Sequence, residues 1–213
     1  MRIVTWNLEG RWRSRHRALL ESLDADVLLL TEVSAALEMP GYAMEASPSV
    51  MAATRRWSAV LTRSTSVPLP APHPASAAVA VGGFSICSSV LPWLGWQPVE
   101  GREAPWAGDQ TQRMHATCRA IGQALEASPS VVWGGDWNTP LEGSLVGFNR
   151  RAQRSVLDTL ERLGLSVPTA GLPSAKTGCQ SIDHIALPDR WTVASAEAVP
   201  VDRQLSDHWA YVV

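Results

Sequence analysis

Cysteine is scarce in this chain: Cys87, Cys118 and Cys179 are far apart, odd in number and form no Cys-x-x-Cys pair. That spacing excludes a structural zinc site and a dithiol redox motif, and it reads as free, mostly buried thiols in a reducing, cytoplasmic setting. Long apolar runs are missing too, since no stretch reaches the length of a membrane span. The opening Met1-Arg2-Ile3-Val4-Thr5-Trp6 reads at once as a strand, without the apolar segment and small-residue cleavage site of a secretory leader. Excess positive charge is absent: a net charge of -2 and a pI near 6.2 argue against a protein that coats nucleic acid, while leaving room for a local basic patch. Tyrosine and phenylalanine number only two each against ten tryptophans, and tryptophan serves equally as core filler or as a stacking platform. There is no internal repeat. The one compositionally biased tract, Ser66 to Pro74, carries too many prolines for a central strand and is expected as an exposed edge or extended loop.

What is present suits one core. A chain of 213 residues, 46% hydrophobic and 18% charged, is the size of a single α/β domain spanning residues 1–213. Arg2 to Trp6 reads as a strand. The basic segment Arg11-Trp12-Arg13-Ser14-Arg15-His16-Arg17 then runs into an amphipathic helix ended by Asp24-Ala25-Asp26. Val27 to Thr31 is short and continuously apolar, the pattern of a fully buried strand. Short runs at Tyr42 to Ala46, Val50 to Ala53 and Ser58 to Thr62 suit antiparallel strands, and Ala77 to Val81 with Phe84 to Val90 suits a hairpin across Gly82-Gly83. A long loop follows, broken by Pro92, Trp93, Trp96, Gly101, Pro105, Trp106 and Gly108; loops of that length are usually functional or mobile. Helices are expected over Thr111 to Ala127 and Ala152 to Leu163, and strands over Ser130 to Trp133, Ser181 to Leu187, Trp191 to Ala196 and Trp209 to Val213.

The middle strand leads into Gly134-Gly135-Asp136-Trp137-Asn138-Thr139-Pro140. Glycine, Asp and Asn are turn residues whose side chains cap their own backbone, so taken alone the stretch is either a tight turn or a site. Other strand ends tip the balance. Asn7 and Glu9 follow the first strand, Glu32 the second, Asp183-His184 interrupts a later one, and Ser206-Asp207-His208 precedes the last. Each has an ordinary reading as turn former, cap or core histidine. Their recurrence does not, because polar groups must be desolvated at a cost to gather there. Converging carboxylates and amides with a histidine make a hard-oxygen site suited to Mg²⁺ or Mn²⁺, and such an ion polarises a phosphoryl oxygen.

In order along the chain, Trp6-Asn7-Leu8-Glu9-Gly10, Leu30-Thr31-Glu32, Gly135-Asp136-Trp137-Asn138, Ser181-Ile182-Asp183-His184-Ile185 and Ser206-Asp207-His208 resemble the signature motifs of the endonuclease/exonuclease/phosphatase superfamily. This group includes pancreatic deoxyribonuclease, apurinic/apyrimidinic endonucleases, inositol polyphosphate phosphatases and neutral sphingomyelinases. The resemblance implies a four-layer α/β sandwich: two mostly antiparallel sheets packed together, helices outside, the site at one end. It also implies roles. Glu32 would be the main metal ligand with Asn7, Glu9 and Asp207; Asp136 would orient or deprotonate the attacking water; Asn138 would hold that water or a phosphate oxygen; His208, polarised by Asp183, would meet the scissile phosphate.

One departure stands out. Many members of that superfamily carry a His or Tyr near the end of the strand corresponding to Phe84 to Val90, where this chain has Ser88-Ser89-Val90-Leu91-Pro92-Trp93. Arg113 and His115 are the candidates to replace it. For substrate, Arg11, Arg13, Arg15 and Arg17 are placed to reach flanking phosphates, and Trp93, Trp96 and Trp106 to stack bases or cover a small ligand. The expected activity is a metal-dependent nuclease or phosphodiesterase acting on nucleic acid as a monomer. A phosphatase or phosphodiesterase for a small molecule or lipid headgroup, and a non-catalytic binding protein of the same fold, are the alternatives.

Overall fold

The computed structural model describes residues 1–100, 104–143 and 147–213, so Gly101 of the tryptophan-rich loop lies outside the described residues. The elements in chain order are β1 (Ile3–Asn7), α1 (Ser14–Ser22), β2 (Val27–Ser34), β3 (Ala43–Ala46), β4 (Val50–Ala52), β5 (Arg55–Thr62), β6 (Val67–Pro68), β7 (Ser76–Val81), β8 (Phe84–Ser89), α2 (Gln110–Leu125), β9 (Val131–Asp136), α3 (Arg150–Leu163), β10 (Leu165–Ser166), β11 (Asp183–Pro188), β12 (Glu197–Val199) and β13 (Ala210–Val212). Seven strands form one sheet in the order β12-β13-β1-β2-β5-β3, with β4 also on β5. Six form the other, β10-β11-β9-β8-β7-β6. Only β1 with β2 and β8 with β9 run parallel, and a helix lies between the members of each pair in the chain. Short parallel connections need such a crossover.

The period of two along a strand sorts side chains into layers. On β2, Leu28 and Leu30 join Val4, Trp6 and Leu20 beneath α1, while Val27 and Leu29 join Ile3, Ile86, Val132 and Ile185 between the sheets. On β9, Val131 and Trp133 pack with Met114, Ile121, Val156 and Leu160 under α2 and α3. The result is a four-layer α/β sandwich: helix, sheet, sheet, helices. Because both faces of each central strand are covered, those strands read as continuous apolar runs. Cys87 and Cys118 sit inside, where burial pushes their thiols up to about 12, and all three cysteines are free. Asp109 caps α2 by accepting from the Gln112 amide at 2.9 Å, and Gly164 ends α3 in the left-handed conformation (φ +62°).

Several boundaries differ from expectation: β1 takes in Asn7, β2 runs past Glu32 to Ser34 and β5 begins at Arg55, and two further differences have a packing reason. The middle strand does not stop at Trp133; it runs through both glycines to Asp136. A Cβ on Gly134 would lie 2.5 Å from the His184 carbonyl and 2.7 Å from Leu29 Cδ1, and one on Gly135 would lie 2.2 Å from the Ser89 carbonyl. The glycines therefore serve close packing of strand on strand and sheet on sheet, not a turn. The stretch Trp191 to Ala196 is irregular, and β12 supplies the edge strand instead. Its backbone turns back as Trp191 N–H donates to Pro188 O at 2.9 Å, and the indole packs edge-on against Phe84 at 5.2 Å. The proline-rich segment contributes only the edge strand β6. No helix among the described residues is long and apolar enough to cross a membrane.

Gly135 combines φ +125° with a blocked Cβ position, whereas Gly83 has φ +87° and open space. Gly135→Ala is expected to lower the unfolding free energy by about 3 kcal/mol and Gly83→Ala by about 1 kcal/mol, the difference being the steric clash. Urea denaturation followed by circular dichroism measures both. Equal losses would contradict the close approach of β8 to β9.

Candidate active site

The same alternation that builds the inter-sheet layer aims polar groups out of its end. Ile3, Thr5 and Asn7 share one face of β1; Val132, Gly134 and Asp136 share one face of β9; Leu187, Ile185 and Asp183 share one face of β11. Ile3, Val132, Ile185 and Leu187 lie between the sheets, so the polar members of each row finish that layer. Asp136 and Asp183 are cross-strand partners. The neighbouring His184 points the other way, against Trp137 at 5.2 Å, and is held by the Thr139 carbonyl at 3.0 Å. Burial lowers its pKa to about 4, as befits a neutral core histidine.

Glu32 reaches the cluster by a different route. Parity would send it under α1 with Leu28 and Leu30, but its backbone is left-handed (φ +49°) and alternation resets, with Val33 joining the α1 cluster in its place. Glu9 (φ +52°) and Asn138 (φ +53°) share this conformation, so among the described residues three of the four such non-glycine residues flank the cluster. Strain of this kind collects at functional sites.

Asn7, 1% exposed, is the hub. Its Nδ2 donates to Asp136 Oδ2 at 2.9 Å and to Glu32 Oε1 at 3.3 Å, and its Oδ1 accepts from the Glu9 amide at 2.9 Å. Asp136 Oδ1 accepts from the Asn138 amide at 3.0 Å, and Asn138 Nδ2 donates to Leu91 O at 3.0 Å. His208 is delivered by the turn before β13: its amide donates to Ser206 Oγ at 3.0 Å, and Ser206 Oγ donates to Asn7 O at 2.7 Å. The His208 ring meets Asp183 Oδ2 through Nδ1 at 2.6 Å. Asp183 Oδ1 is buried without a partner, and ligand atoms of Asp136, Asp183 and His208 lie within 4.8 Å of one another. Among the described residues this trio is the set close enough to share one ion; Asp207 lies half-exposed, 3.8 Å from His208 Nε2.

Electrostatics follow from the crowding. Burial raises Asp136 to about 7, aided by the charges of Asp183 and Glu32 and opposed by His208. Burial would lower His208, yet the Asp183 carboxylate, through charge and hydrogen bond, raises it to about 10, with Asp136 and Asp207 adding to the effect. At neutral pH the site thus pairs an imidazolium with a carboxylate poised to exchange a proton.

A model of the Endonuclease/Exonuclease/phosphatase family matches residues 4–208. The chain belongs to this family. It is a phosphoester hydrolase of the endonuclease/exonuclease/phosphatase type. No curated protein matches the sequence. Among solved structures, an AP endonuclease from Archaeoglobus fulgidus is similar at 17% identity and TM-score 0.72, covering 100% of this chain and 98% of the other. A 3′ phosphatase from Neisseria bound to product DNA hairpin gives 17%, 0.71 and the same coverages. The AP endonuclease of Leishmania major gives 15% and 0.73, covering 99% of this chain and 86% of that one. All share the fold.

This family member departs from expectation at its periphery. Arg11, Arg15 and Arg17 do not stand free for phosphates: they pair with Glu9 at 2.9 Å, Asp202 at 2.9 Å and Glu21 at 2.7 Å. Arg13 is exposed, with no ion pair among the described residues. Trp96 and Trp106 are buried in a cluster with Trp57, so neither is a free stacking surface; Trp93 is half-buried beside them. Arg113 stacks over Trp96 at 4.7 Å and donates to its carbonyl at 2.8 Å, fixing the loop and not replacing the missing His or Tyr. His115 is exposed on α2. The strand end itself gives backbone only: Leu91 N–H donates to Asp136 O at 2.9 Å.

Arg55 was not foreseen. Its Nη1 donates to Glu32 Oε2 at 2.5 Å and its Nη2 to Glu9 O at 2.9 Å, in space kept by Gly10, where a Cβ would lie 2.1 Å from Nε. In sequence it reads as one of two arginines punctuating short strands; the signal was a charge at the start of the otherwise buried strand β5.

Asp183→Asn should lower the His208 pKa from about 10 toward its ordinary 6.5, because burial is then opposed only by the charges of Asp136 and Asp207. Histidine-ring NMR titration reads this directly. The sign carries into stability: a raised histidine stabilises the fold fully below pH 6.5 and loses that contribution as pH climbs through about 10, so the gap between wild type and variant should close across that window. An unmoved His208 titration would break the assignment.

Proposed function

We propose that the chain is a Mg²⁺- or Mn²⁺-dependent phosphodiesterase that cleaves nucleic acid by direct attack of water on phosphorus. The observation that carries the reading is the buried pairing of Asp183 with His208 beside an Asp136 whose pKa is raised to about 7. An oxygen-rich site suits a hard cation: Asp183 Oδ1 is buried with no hydrogen-bond partner and belongs, with Asp136 and His208, to the set close enough to share one ion. Glu32, Asn7, Glu9 and Asp207 would add oxygen donors once Glu32 and Glu9 give up their pairing with Arg55 and Arg11. When bound, the ion polarises a phosphoryl oxygen and neutralises charge on the leaving oxygen. Asp136 orients water and takes its proton as the new P–O bond forms, held in place by Asn7 and the Asn138 amide. Asn138 would hold that water or a phosphate oxygen. His208, kept protonated by Asp183, stabilises negative charge growing on the phosphoryl oxygens while the bond to the leaving alkoxide breaks.

The Neisseria 3′ phosphatase bound to product DNA hairpin and the two AP endonucleases support nucleic acid as the substrate class. The free thiols support a reducing, cytoplasmic setting. A second reading, a phosphatase or phosphodiesterase for a small phosphorylated molecule or lipid headgroup, is favoured by the pairing of Arg11, Arg15 and Arg17 with carboxylates, which leaves little free positive charge to follow a long polyanion.

Hydrolysis of bis(p-nitrophenyl) phosphate is expected with Mg²⁺ or Mn²⁺, to vanish with chelator and to return with added Mn²⁺. Asp136→Asn and His208→Gln should each cut kcat/KM by about 10²- to 10⁴-fold. Plasmid and single-stranded DNA then separate the two substrate classes. Inactivity of the wild type on all three with either ion would sink the phosphodiesterase reading, and cleavage indifferent to Asp136→Asn would sink the residue assignment.

A further inference from the structure

Next to the acidic cluster lies a cavity of about 340 Å³ that the chemistry above does not use. Its walls include Trp57, Trp93 and Trp96, with Gln97 and Val99 at the rim and Arg55 on one side. We propose that this cavity is a subsite for one unpaired nucleobase, attached through its sugar to the phosphate that the Asp136 site attacks. The inference rests on reading that site as a phosphoester hydrolase and names what its substrate carries.

Arg55 makes the connection. The same guanidinium that lines the cavity donates to Glu32 Oε2 at 2.5 Å and to Glu9 O at 2.9 Å, so it is the partition between the tryptophan pocket and the acidic site. A ring seated in the pocket has its phosphate one side chain away, beside a cation with further N–H donors to offer. A tryptophan cluster built only to pack the loop would close on itself. This one does not: Trp57, Trp96 and Trp93 each meet Trp106 edge to face, at 5.0, 5.2 and 5.9 Å, yet Trp93 stays half-buried and stands 6.5 Å from Trp57 at a 50° tilt, with the cavity between them. The locked indoles are a rigid wall, and Arg113 over Trp96 at 4.7 Å pins it from behind. Gln97 offers an amide that both donates and accepts, the pairing that base edges present.

Size and chemistry choose the occupant. The volume falls in the lower range of small-molecule pockets, enough for a ring and too small for a base pair with its partner strand. The face of half-buried Trp93, backed by buried indoles and flanked by one cation, suits a π-face joined to a phosphate, because stacking needs no particular base. A larger cavity of about 540 Å³ also has an indole and cations, Trp191 with Arg2 and Arg190, but no link to the acidic site. It lies where β1 begins, lined by Met1, Ile3 and Trp191, at the opposite end of the sheets from Asn7 and Asp136.

The test reads binding without turnover. Adenosine 5′-monophosphate and ribose 5-phosphate are titrated against the full chain by tryptophan fluorescence and calorimetry. The nucleotide is expected to bind about tenfold or more tightly than the sugar phosphate, the difference being base stacking. Trp93→Ala should bring the ratio close to one, and Trp93→Phe should keep most of it. Val99→Glu, a change at a residue 54% exposed and so harmless to folding, should lower it by setting a carboxylate at the mouth. Equal affinities in the wild type, or a ratio that survives Trp93→Ala and Val99→Glu, would overturn the subsite. Hydrolysis by Asp136→Asn is measured in parallel: a nucleotide preference that persists while turnover is lost keeps the subsite apart from the hydrolase assignment.

Discussion

A single buried carboxamide holds the working end of this protein together. Asn7 stands at the end of β1 in one sheet and donates to Glu32 of the same sheet and to Asp136 of the other, at 3.3 and 2.9 Å. Two carboxylates aimed at one space repel, and burial makes the repulsion dearer. A neutral group with two N–H donors on one nitrogen satisfies both without adding charge. The remaining polar contacts extend this arrangement outward: Ser206 fastens the His208 turn to the Asn7 carbonyl, and Arg55 balances the far oxygen of Glu32. Asp183 and His208 form a second, self-compensating pair.

Most of the fold was legible because both faces of the central strands are covered, which writes them as unbroken apolar runs bounded by polar residues. The hairpin across Gly82-Gly83 and the glycine stop of α3 follow from local signals in the sequence, whereas the four-layer sandwich was implied by the resemblance of the ordered motifs to a known family. What stayed hidden depended on partners far along the chain. Gly134 and Gly135 look like turn formers until Ser89, His184 and Leu29 are seen against them. Trp191 to Ala196 looks like a strand until its indole is found on Phe84.

The candidate site shows the same division. Strand-end carboxylates, amides and imidazole could be gathered from sequence because the alternation that buries Ile3, Val132 and Ile185 also points Asn7, Asp136 and Asp183 into one cleft. Charged groups on loops and helix surfaces obey no such rule. The basic run after Gly10 is spent on Glu9, Asp202 and Glu21, contacts set by side-chain reach, and Arg55 matters through a glycine more than forty positions earlier that leaves it room.

The two parallel pairs divide the molecule into halves of matching construction. In one, β1 and β2 flank α1 in the chain and carry Asn7 and Glu32; in the other, β8 and β9 flank α2 and carry Leu91 and Asp136 just at or beyond their ends. Each half presents an incomplete set of groups, and neither has Asp136 and the Asn7 carboxamide together. The site is therefore a property of the seam. Any fluctuation that slides one sheet across the other by a fraction of a residue disassembles it while every helix and ladder stays intact, which makes sheet registry, rather than the stability of either half, the quantity on which the proposed chemistry depends.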